Sequence, residues 1–411
     1  MEAKLVRYAV EFPALLILGA RQVGKSTLLN HIHGHKAKTF VFDPIVDIGN
    51  ARQDPDFFLD QNPGPLILDE IQYAPELLPA IKRRIDAQGR MGNYLMIGSQ
   101  NLALLKNIAE SLAGRVIVLE LGSMTTVEKN GAVSADSEPW LKTLLAAGGK
   151  MPELSGHTRV CKTAKNDSLF DRIWRGGMPI TLDKGNERLG DVMSSYLRTY
   201  VERDVRIMAQ VDDQHLFTRF LSLCAARTAQ EINHSQVGRE IGITPQTAKR
   251  WMALLAATYQ WIEIPAYHGN ALKKVSERSK GYICDTGLAA HLQYISSPDA
   301  LAVHPMQGAL METYVVRDIL NTFNALARPP KVYHWRRYSG AEVDLILERD
   351  GIFWPIEIKS TTRINAKHSE GIRLFRSHHP HLQHGPGVIL APVEQVSCLP
   401  ENNIIIPYDL V

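Results

Sequence analysis

Gly19, Gly24, Lys25, Ser26 and Thr27 stand in the string GARQVGKST, residues 19–27, and the spacing G-x-x-x-x-G-K-[ST] is one that grips phosphate. Glycines let backbone N–H groups curl around the oxygens, and a helix opening at Lys25 adds the positive end of its dipole. Lys25 would neutralise the β and γ oxygens of a nucleoside triphosphate, and Ser26 would ligate Mg²⁺. A second apolar run, PLILDEIQ at 65–72, ends in two carboxylates. Asp69 is placed to hold the Mg²⁺ through water, and Glu70 to orient and polarise an attacking water. A third run, YLMIGSQ at 94–100, ends in Ser99 and Gln100. These either contact the γ-phosphate or its water, or Ser99 simply caps a helix over 101–113.

Another constellation lies near the other end, in GAEVDLILERDGIFWPIEIKST at 340–361. A strand's side-chain period of two sends Glu342 and Asp344 to one face, and Glu357 and Lys359 to one face of the next strand. Two adjacent strands then bring carboxylates and an ammonium to one spot. The pattern resembles the D-x(n)-E-x-K arrangement of PD-(D/E)XK nucleases, where carboxylates bind Mg²⁺ or Mn²⁺ and the lysine assists water or phosphate. On that resemblance Asp344 and Glu357 are metal ligands, Glu312 from a helical pattern at 307–323 is a third, and Lys359 is catalytic. A helix at 368–377 and a strand at 385–392 complete the expected order. A strand pair with solvated acids and a lysine would give the same string, and Trp335, Arg336 and Arg337 just before it either meet a nucleic-acid backbone or, for Trp335, fill a core.

Between the two sites, QEINHSQVGREIGITPQTAKRWMALL at 230–255 reads as helix-turn-helix. Ser235 is placed to cap a helix with Val237 and Ile241 inward, Gly242 turns the chain, and Thr244 caps a second helix that starts with Pro245. Gln246, Thr247, Lys249 and Arg250 face outward there, and Lys273, Lys274, Arg278 and Lys280 make a candidate basic wing. Such a unit either contacts DNA or only packs domains together.

The elements that must position these groups follow from periodicity. Apolar runs at 15–19, 39–42, 65–69, 94–98 and 116–121 alternate with helical patterns, as at 76–88, which predicts a mostly parallel sheet flanked by helices. From 122 to about 165 the pattern dissolves into Ser, Gly, Ala and Lys, a loop or connector. Helices dominate 169–292, and strands return from 305. A chain of 411 residues calls for two or three domains. Net charge of +3 by itself argues for neither a polyanionic nor a strongly acidic partner, so affinity for nucleic acid must come from local clusters. The four cysteines, Cys161, Cys224, Cys284 and Cys398, form no CxxC pair, which speaks against a zinc site or a disulfide framework and fits a reducing cytoplasmic setting. The N-terminus shows no leader pattern and no run approaches membrane-spanning length, so no membrane partner is expected.

The strings GARQVGKSTLL, LDEIQ, ESLAGRV, WRGGMP, YVERDV and DTGLAAHL together resemble a bacterial and archaeal family in which an AAA+/STAND-like P-loop ATPase domain precedes a domain of unknown function. The resemblance covers almost the whole chain, 122–165 being least familiar. It implies an extra strand between the P-loop strand and the acidic one. It makes Arg115 a γ-phosphate sensor or a finger acting on a neighbouring subunit, which leaves a homo-oligomer open, and Pro179 an adenine contact. The expected architecture is α/β throughout: an ATPase domain at 1–165, a helical and winged-helix domain at 166–295, and a nuclease-like domain at 296–411. The expected ligands are ATP, ADP and DNA. Two functions remain open: an Mg²⁺-dependent ATPase that binds and cuts DNA, and a nucleotide-controlled switch or scaffold that binds DNA or protein without cutting. A protein-remodelling ring is a third, for which no pore-loop motif is present.

Overall fold

The computed structural model describes residues 1–99, 111–129, 131, 139–154, 157, 168–182, 184–200, 205, 213–269, 278–337 and 340–410. The chain divides into two compact units, Met1–Ser123 with Leu255–Gln260, and Met124–Leu254 with Trp261–Val411. The first unit therefore ends well short of 165, because residues 124–154 belong with the second.

The first unit runs α1 (Glu2–Glu11), β1 (Ala14–Leu18), α2 (Lys25–His33), β2 (Lys38–Val41), α3 (Pro55–Gln61), β3 (Leu66–Asp69), α4 (Leu77–Gln88), β4 (Tyr94–Gly98) and β5 (Val116–Glu120). All five strands are parallel, in the order β2-β3-β4-β1-β5. The strand β4 stands between the P-loop strand and the acidic strand β3, as the family resemblance implied. Every residue of β1, β3 and β4 is buried, which explains their unbroken apolar runs: a parallel sheet covered on both faces has no polar side. Alternate residues supply separate cores. Leu16 and Leu18 meet Leu68, Met96, Phe58, Leu78 and Ile81 on the α3/α4 face, whereas Leu15 and Ile17 meet Leu95, Ile97, Leu5 and Leu29 on the α1/α2 face. Each fully buried leucine contributes about 1.5–3 kcal/mol. The C-terminal ends of β1, β3 and β4 are thereby held side by side.

The second unit begins with α5 (Thr126–Lys129), α6 (Trp140–Ala146), α7 (Leu169–Arg175) and α8 (Asn186–Tyr200). It continues with α9 (Gln214–Ala226), β6 (Gln230–Glu231), α10 (His234–Ile241), α11 (Pro245–Ala257, whose last residues fall in the first unit), β7 (Trp261–Ile264) and β8 (Lys280–Ile283). The three short strands pair antiparallel in the order β6-β8-β7. Trp251 of α11 packs edge-on against Phe217 and Phe220 of α9, ring centroids 5.3 and 5.4 Å apart. The cap of α10 is Asn233, whose side chain accepts from Gln236 N at 3.2 Å, and Ser235 is exposed inside the helix. Asn233, two residues upstream of Ser235, is equally suited to the role by residue type. Thr244 does cap α11, its Oγ1 accepting from Thr247 N at 3.1 Å.

Two of the quoted strings meet here. Asp285 caps α12 (Thr286–Leu292) by accepting from Leu288 N at 3.0 Å, and its other oxygen accepts from Gly177 N at 2.8 Å. Gly176 holds φ 74° and ψ −156°, and a Cβ on it would stand 2.2 Å from Asp285 Oδ1. Only glycine fits such a backbone conformation, so WRGGMP and DTGLAAHL form one buried joint.

After α13 (Pro298–Ala302) come α14 (Gln307–Ala325), β9 (Lys331–Arg336), β10 (Glu342–Arg349), β11 (Ile352–Ile358), α15 (Glu370–His378), β12 (Gln383–His384), β13 (Gly387–Ala391), β14 (Ser397–Leu399) and β15 (Asn403–Pro407). Their sheet runs β14-β15-β13-β11-β10-β9, with β12 beside β11. The meander β9-β10-β11 is antiparallel, and β13 returns parallel to β11 after α15. Trp335 lies in the core with Val343, Ile346 and Phe375. The N-terminal end of the second unit docks on α14: Asp318 accepts from Thr126 N at 2.6 Å and Oγ1 at 3.1 Å, and Thr126 Oγ1 lies 2.8 Å from the Tyr314 hydroxyl.

Candidate functional site

At the end of β1 the chain turns through residues 19–24 into α2. Gly24, the cap of that helix, has φ 93°, a conformation that glycine adopts without the strain a Cβ would bring. Lys25 is buried, and its Nζ donates to Gly19 O at 2.9 Å and Ala20 O at 2.6 Å. Ser26 Oγ donates to Asp69 Oδ2 at 2.5 Å across 43 residues of sequence. The hydroxyl after the lysine and the carboxylate at the end of β3 are therefore in contact, and a hydroxyl paired with a carboxylate is a hard-oxygen donor set suited to Mg²⁺. Burial holds the Asp69 carboxyl above its ordinary range, partly offset by the Ser26 hydrogen bond. Thr27 follows in the first turn of α2 and shows no side-chain link to this group.

Glu70 follows in the left-handed conformation, φ 55° and ψ 43°, and its N–H donates to Asp69 Oδ1 at 2.9 Å. Its Oε2 accepts from Ser99 Oγ at 2.8 Å and from Gln72 Nε2 at 2.5 Å, and its Oε1 lies 4.0 Å from Arg21 Nη1. Ser99 is 2% exposed. The ends of three strands and the loop thus converge: Lys25 and Ser26 after β1, Asp69 and Glu70 after β3, Ser99 after β4. Gln72 was missed in the sequence although it closes the quoted LDEIQ; its position two residues after Glu70 was the available signal. Gln100, most of the expected helix at 101–113, Lys273, Lys274 and Cys161 lie outside the described residues.

Arg115 is elsewhere. It directly precedes β5, which runs parallel to β1 with Val116 opposite Ala14 and Glu120 opposite Leu18. A five-residue strand is about 16 Å long at ~3.3 Å per residue, so Arg115 sits at the far edge of the sheet from its own chain's loop. Its guanidinium grips Asp86, Nε to Oδ1 at 2.5 Å and Nη2 to Oδ2 at 3.1 Å. That placement sets it apart from residues 19–24 of its own chain. Pro179 opens a single 3-10 turn, Pro179–Thr181, in the second unit.

The second constellation also departs from expectation. Asp344 and Glu357 are buried side by side on β10 and β11, and Glu312 reaches them from α14. The space between Glu312 and Asp344 holds a side chain: Lys280 Nζ lies 2.6 Å from Glu312 Oε1 and 3.5 Å from Asp344 Oδ1. Tyr282 OH donates to the same Glu312 oxygen at 2.7 Å. Asp344 Oδ2 accepts from Ile358 N at 2.8 Å, and Lys359 Nζ donates to Glu357 Oε2 at 2.6 Å. Burial and the neighbouring Asp344 push Glu357 up to about 8 and Glu312 up to about 7. Lys280, expected on an exposed basic wing, is 6% exposed. Among the described residues no group of three His, Cys, Asp or Glu side chains can hold a metal ion. The acids converge as the spacing predicts, but the donor set does not fit a divalent cation, because an ammonium stands among them. Glu342 is exposed at the start of β10, near Arg336 at 3.9 Å.

Fold and loop together are those of a P-loop nucleotide-binding domain. A family model described as an AAA domain matches residues 11–129, and two described as domains of unknown function, DUF8612 and DUF4143, match residues 166–299 and 307–411. Two uncharacterized proteins, from Mycobacterium bovis and Mycobacterium tuberculosis, are each 28% identical over 412 residues, spanning 100% of this chain and 83% of theirs. Among solved structures, a Walker-type ATPase of Pyrococcus abyssi aligns with a TM-score of 0.39 at 16% identity, covering 71% of this chain and 94% of that one. RuvB of Thermotoga maritima aligns with a TM-score of 0.31 at 16% identity, covering 64% of this chain and 88% of that one. Among the described residues no helix is long and apolar enough to cross a membrane.

Proposed function

We propose that the chain is an Mg²⁺-dependent ATPase whose rear half engages DNA. The observation that carries the ATPase reading is the 2.5 Å contact between Ser26 and Asp69 with Glu70 beside it. Backbone N–H groups from Gly19 to Gly24 and the ammonium of Lys25 bind and orient the phosphates, with Thr27 adding a donor in the same helical turn. Ser26 and Asp69 would hold the Mg²⁺, which when bound supplies neutralising charge at the phosphate oxygens. Glu70 takes the proton from the attacking water, and Ser99 and Gln72 fix its direction. Phosphate release should appear with ATP and Mg²⁺, and fall below about one hundredth in Lys25→Ala and Asp69→Asn. Hydrolysis that survives both substitutions would place the activity in another protein or another site.

In the same reading, Arg115 serves the nucleotide of a neighbouring subunit, since its own is out of reach. DNA engagement rests on α11, where Gln246, Lys249 and Arg250 are exposed along one helix after a capped turn. Fluorescence anisotropy with a labelled duplex tests it: Lys249→Glu with Arg250→Glu should weaken binding. Equal binding by the double variant would remove DNA from the reading. The switch or scaffold without cleavage is favoured over the nuclease by Lys280, which stands where a cutting site of this pattern would need a metal. Cleavage of single-stranded, duplex or branched DNA that disappears with Asp344→Ala would reverse that preference.

A further inference from the structure

We infer that Lys280 is the resident cation of the Glu312, Asp344 and Glu357 cluster, so that this chain takes no divalent ion there and uses the carboxylates to fasten the small β6-β8-β7 sheet to α14 and β10. The inference deepens the reading without cleavage and rests on the same ammonium, but its test is metal binding. A chain that bound metal at Asp344 yet cut no DNA would sink this inference and leave that reading standing.

The backbone of Lys280 is fixed. It belongs to β8, the central strand of its sheet, opposite Glu231 of β6 on one side and Ile264 of β7 on the other. Residues two apart on a strand share a face, and here Lys280 and Tyr282 both reach Glu312 Oε1, at 2.6 and 2.7 Å. One strand therefore supplies an ammonium and a hydroxyl to one carboxylate oxygen, a paired recognition that a chance surface contact would not show.

Asp344 and Glu357 are engaged as well. Asp344 gives one oxygen to Lys280 and the other to the Ile358 N–H. Glu357 gives Oε2 to Lys359 at 2.6 Å, while its Oε1 lies against the first turn of α15, where a Cβ built on Gly371 would stand only 2.3 Å away. Mg²⁺ needs about six oxygens at ~2.0–2.1 Å and keeps several as water. An ion within that reach of Glu312 and Asp344 would stand against the ammonium already beside them, with like charge opposing it. Two buried carboxylates, Asp344 and Glu357, with the partly buried Glu312 beside them, need compensating charge, and Lys280 and Lys359 supply it from within the chain.

Mn²⁺ binding to the nucleotide-free full chain, read from the loss of the free-ion EPR signal, tests this, with Asp69→Asn in every sample to silence the P-loop. The parent should show no site that depends on Asp344. Lys280→Met, similar in length and uncharged, should gain one Mn²⁺ per chain, bound at least ~10-fold more tightly than any parent site, and the addition of Asp344→Asn should abolish it. Mn²⁺ should also raise the melting temperature of Lys280→Met but not of the parent. Parent binding that Asp344→Asn removes would overturn the inference, as would a folded Lys280→Met with no gain. If Lys280→Met does not fold, the comparison of parent with Asp344→Asn decides alone.

Discussion

Glu70→Gln separates chemistry from binding at the proposed ATPase centre. Glutamine keeps the length and the acceptor of glutamate, so Ser99 Oγ, at 2.8 Å from Glu70 Oε2, retains a partner. The contact from Gln72 Nε2 at 2.5 Å survives in the same way if the amide oxygen takes the Oε2 place. The amide NH₂ then faces Arg21, whose link to Glu70 is only a 4.0 Å ion pair with both side chains partly exposed; such a pair contributes about 0–1 kcal/mol. The left-handed φ of 55° is no harder for glutamine than for glutamate. Ground-state changes thus sum to about 1 kcal/mol, less than ~10-fold in nucleotide affinity. Loss of the base removes about 10²–10⁴ in rate, or ~3–5 kcal/mol of barrier stabilisation. Steady-state phosphate release gives kcat, and titration with a fluorescent ATP analogue gives Kd. A kcat within tenfold of the parent, at unchanged Kd, would refute the assignment of Glu70 as base. A Kd raised tenfold or more would refute the positional argument.

Arg115→Ala should leave nucleotide affinity of the isolated chain unchanged, because the residue lies at the opposite edge of the sheet; weaker binding by a demonstrated monomer contradicts that. Gly176→Ala forces a Cβ against Asp285 in a backbone conformation reserved for glycine, a cost of about 2–5 kcal/mol, read as a lower denaturation midpoint; a parent-like midpoint would show the joint to be loose. Burial pushes His334 down to about 4, while its Nε2 keeps a hydrogen bond to Arg278 O at 3.1 Å. The folded state then resists a proton that the unfolded chain accepts near 6.5, so stability is full above 6.5 and drains as pH falls toward 4, by about 3 kcal/mol. His334→Gln should flatten that part of the pH profile, and an unchanged slope would locate the effect elsewhere. Lys249→Glu with Arg250→Glu should also reduce the slope of log Kd against log salt by about 2 if each side chain meets a phosphate.

The first unit was legible because its signals are local and dense. Loop, acidic strand and third strand each carry their polar ends within a single string, and parallel strands covered on both faces are continuously apolar. The C-terminal acids were legible for a similar reason, since alternation along two neighbouring strands fixes which side chains meet. What the sequence hid was what else arrives there. Lys280 comes from a strand 64 residues before Asp344, and a buried lysine in a short strand looks the same in sequence as an exposed one. Whether Arg115 faces its own loop or a neighbour was not legible, because LAGRV gives its neighbour strand but not the end of the sheet at which it stands; the register with β1 gives that. The segment at 139–154 read as connector because its helix, Trp140–Ala146, is short, yet Trp140, Leu141, Leu144 and Leu145 are all buried.

The docking of Thr126 on Asp318 has a consequence for synthesis. The partners are 192 residues apart, and a ribosome adds about 5–20 residues per second. Thr126 is therefore added to the chain some 10–40 s before the carboxylate that will receive its N–H exists. The strands of the nucleotide-binding sheet, complete at Glu120, can meet during that interval. The second unit cannot close on α14 until most of the chain has been made, which makes the newly made segment from Met124 onward the natural place for chaperone contact or premature proteolysis.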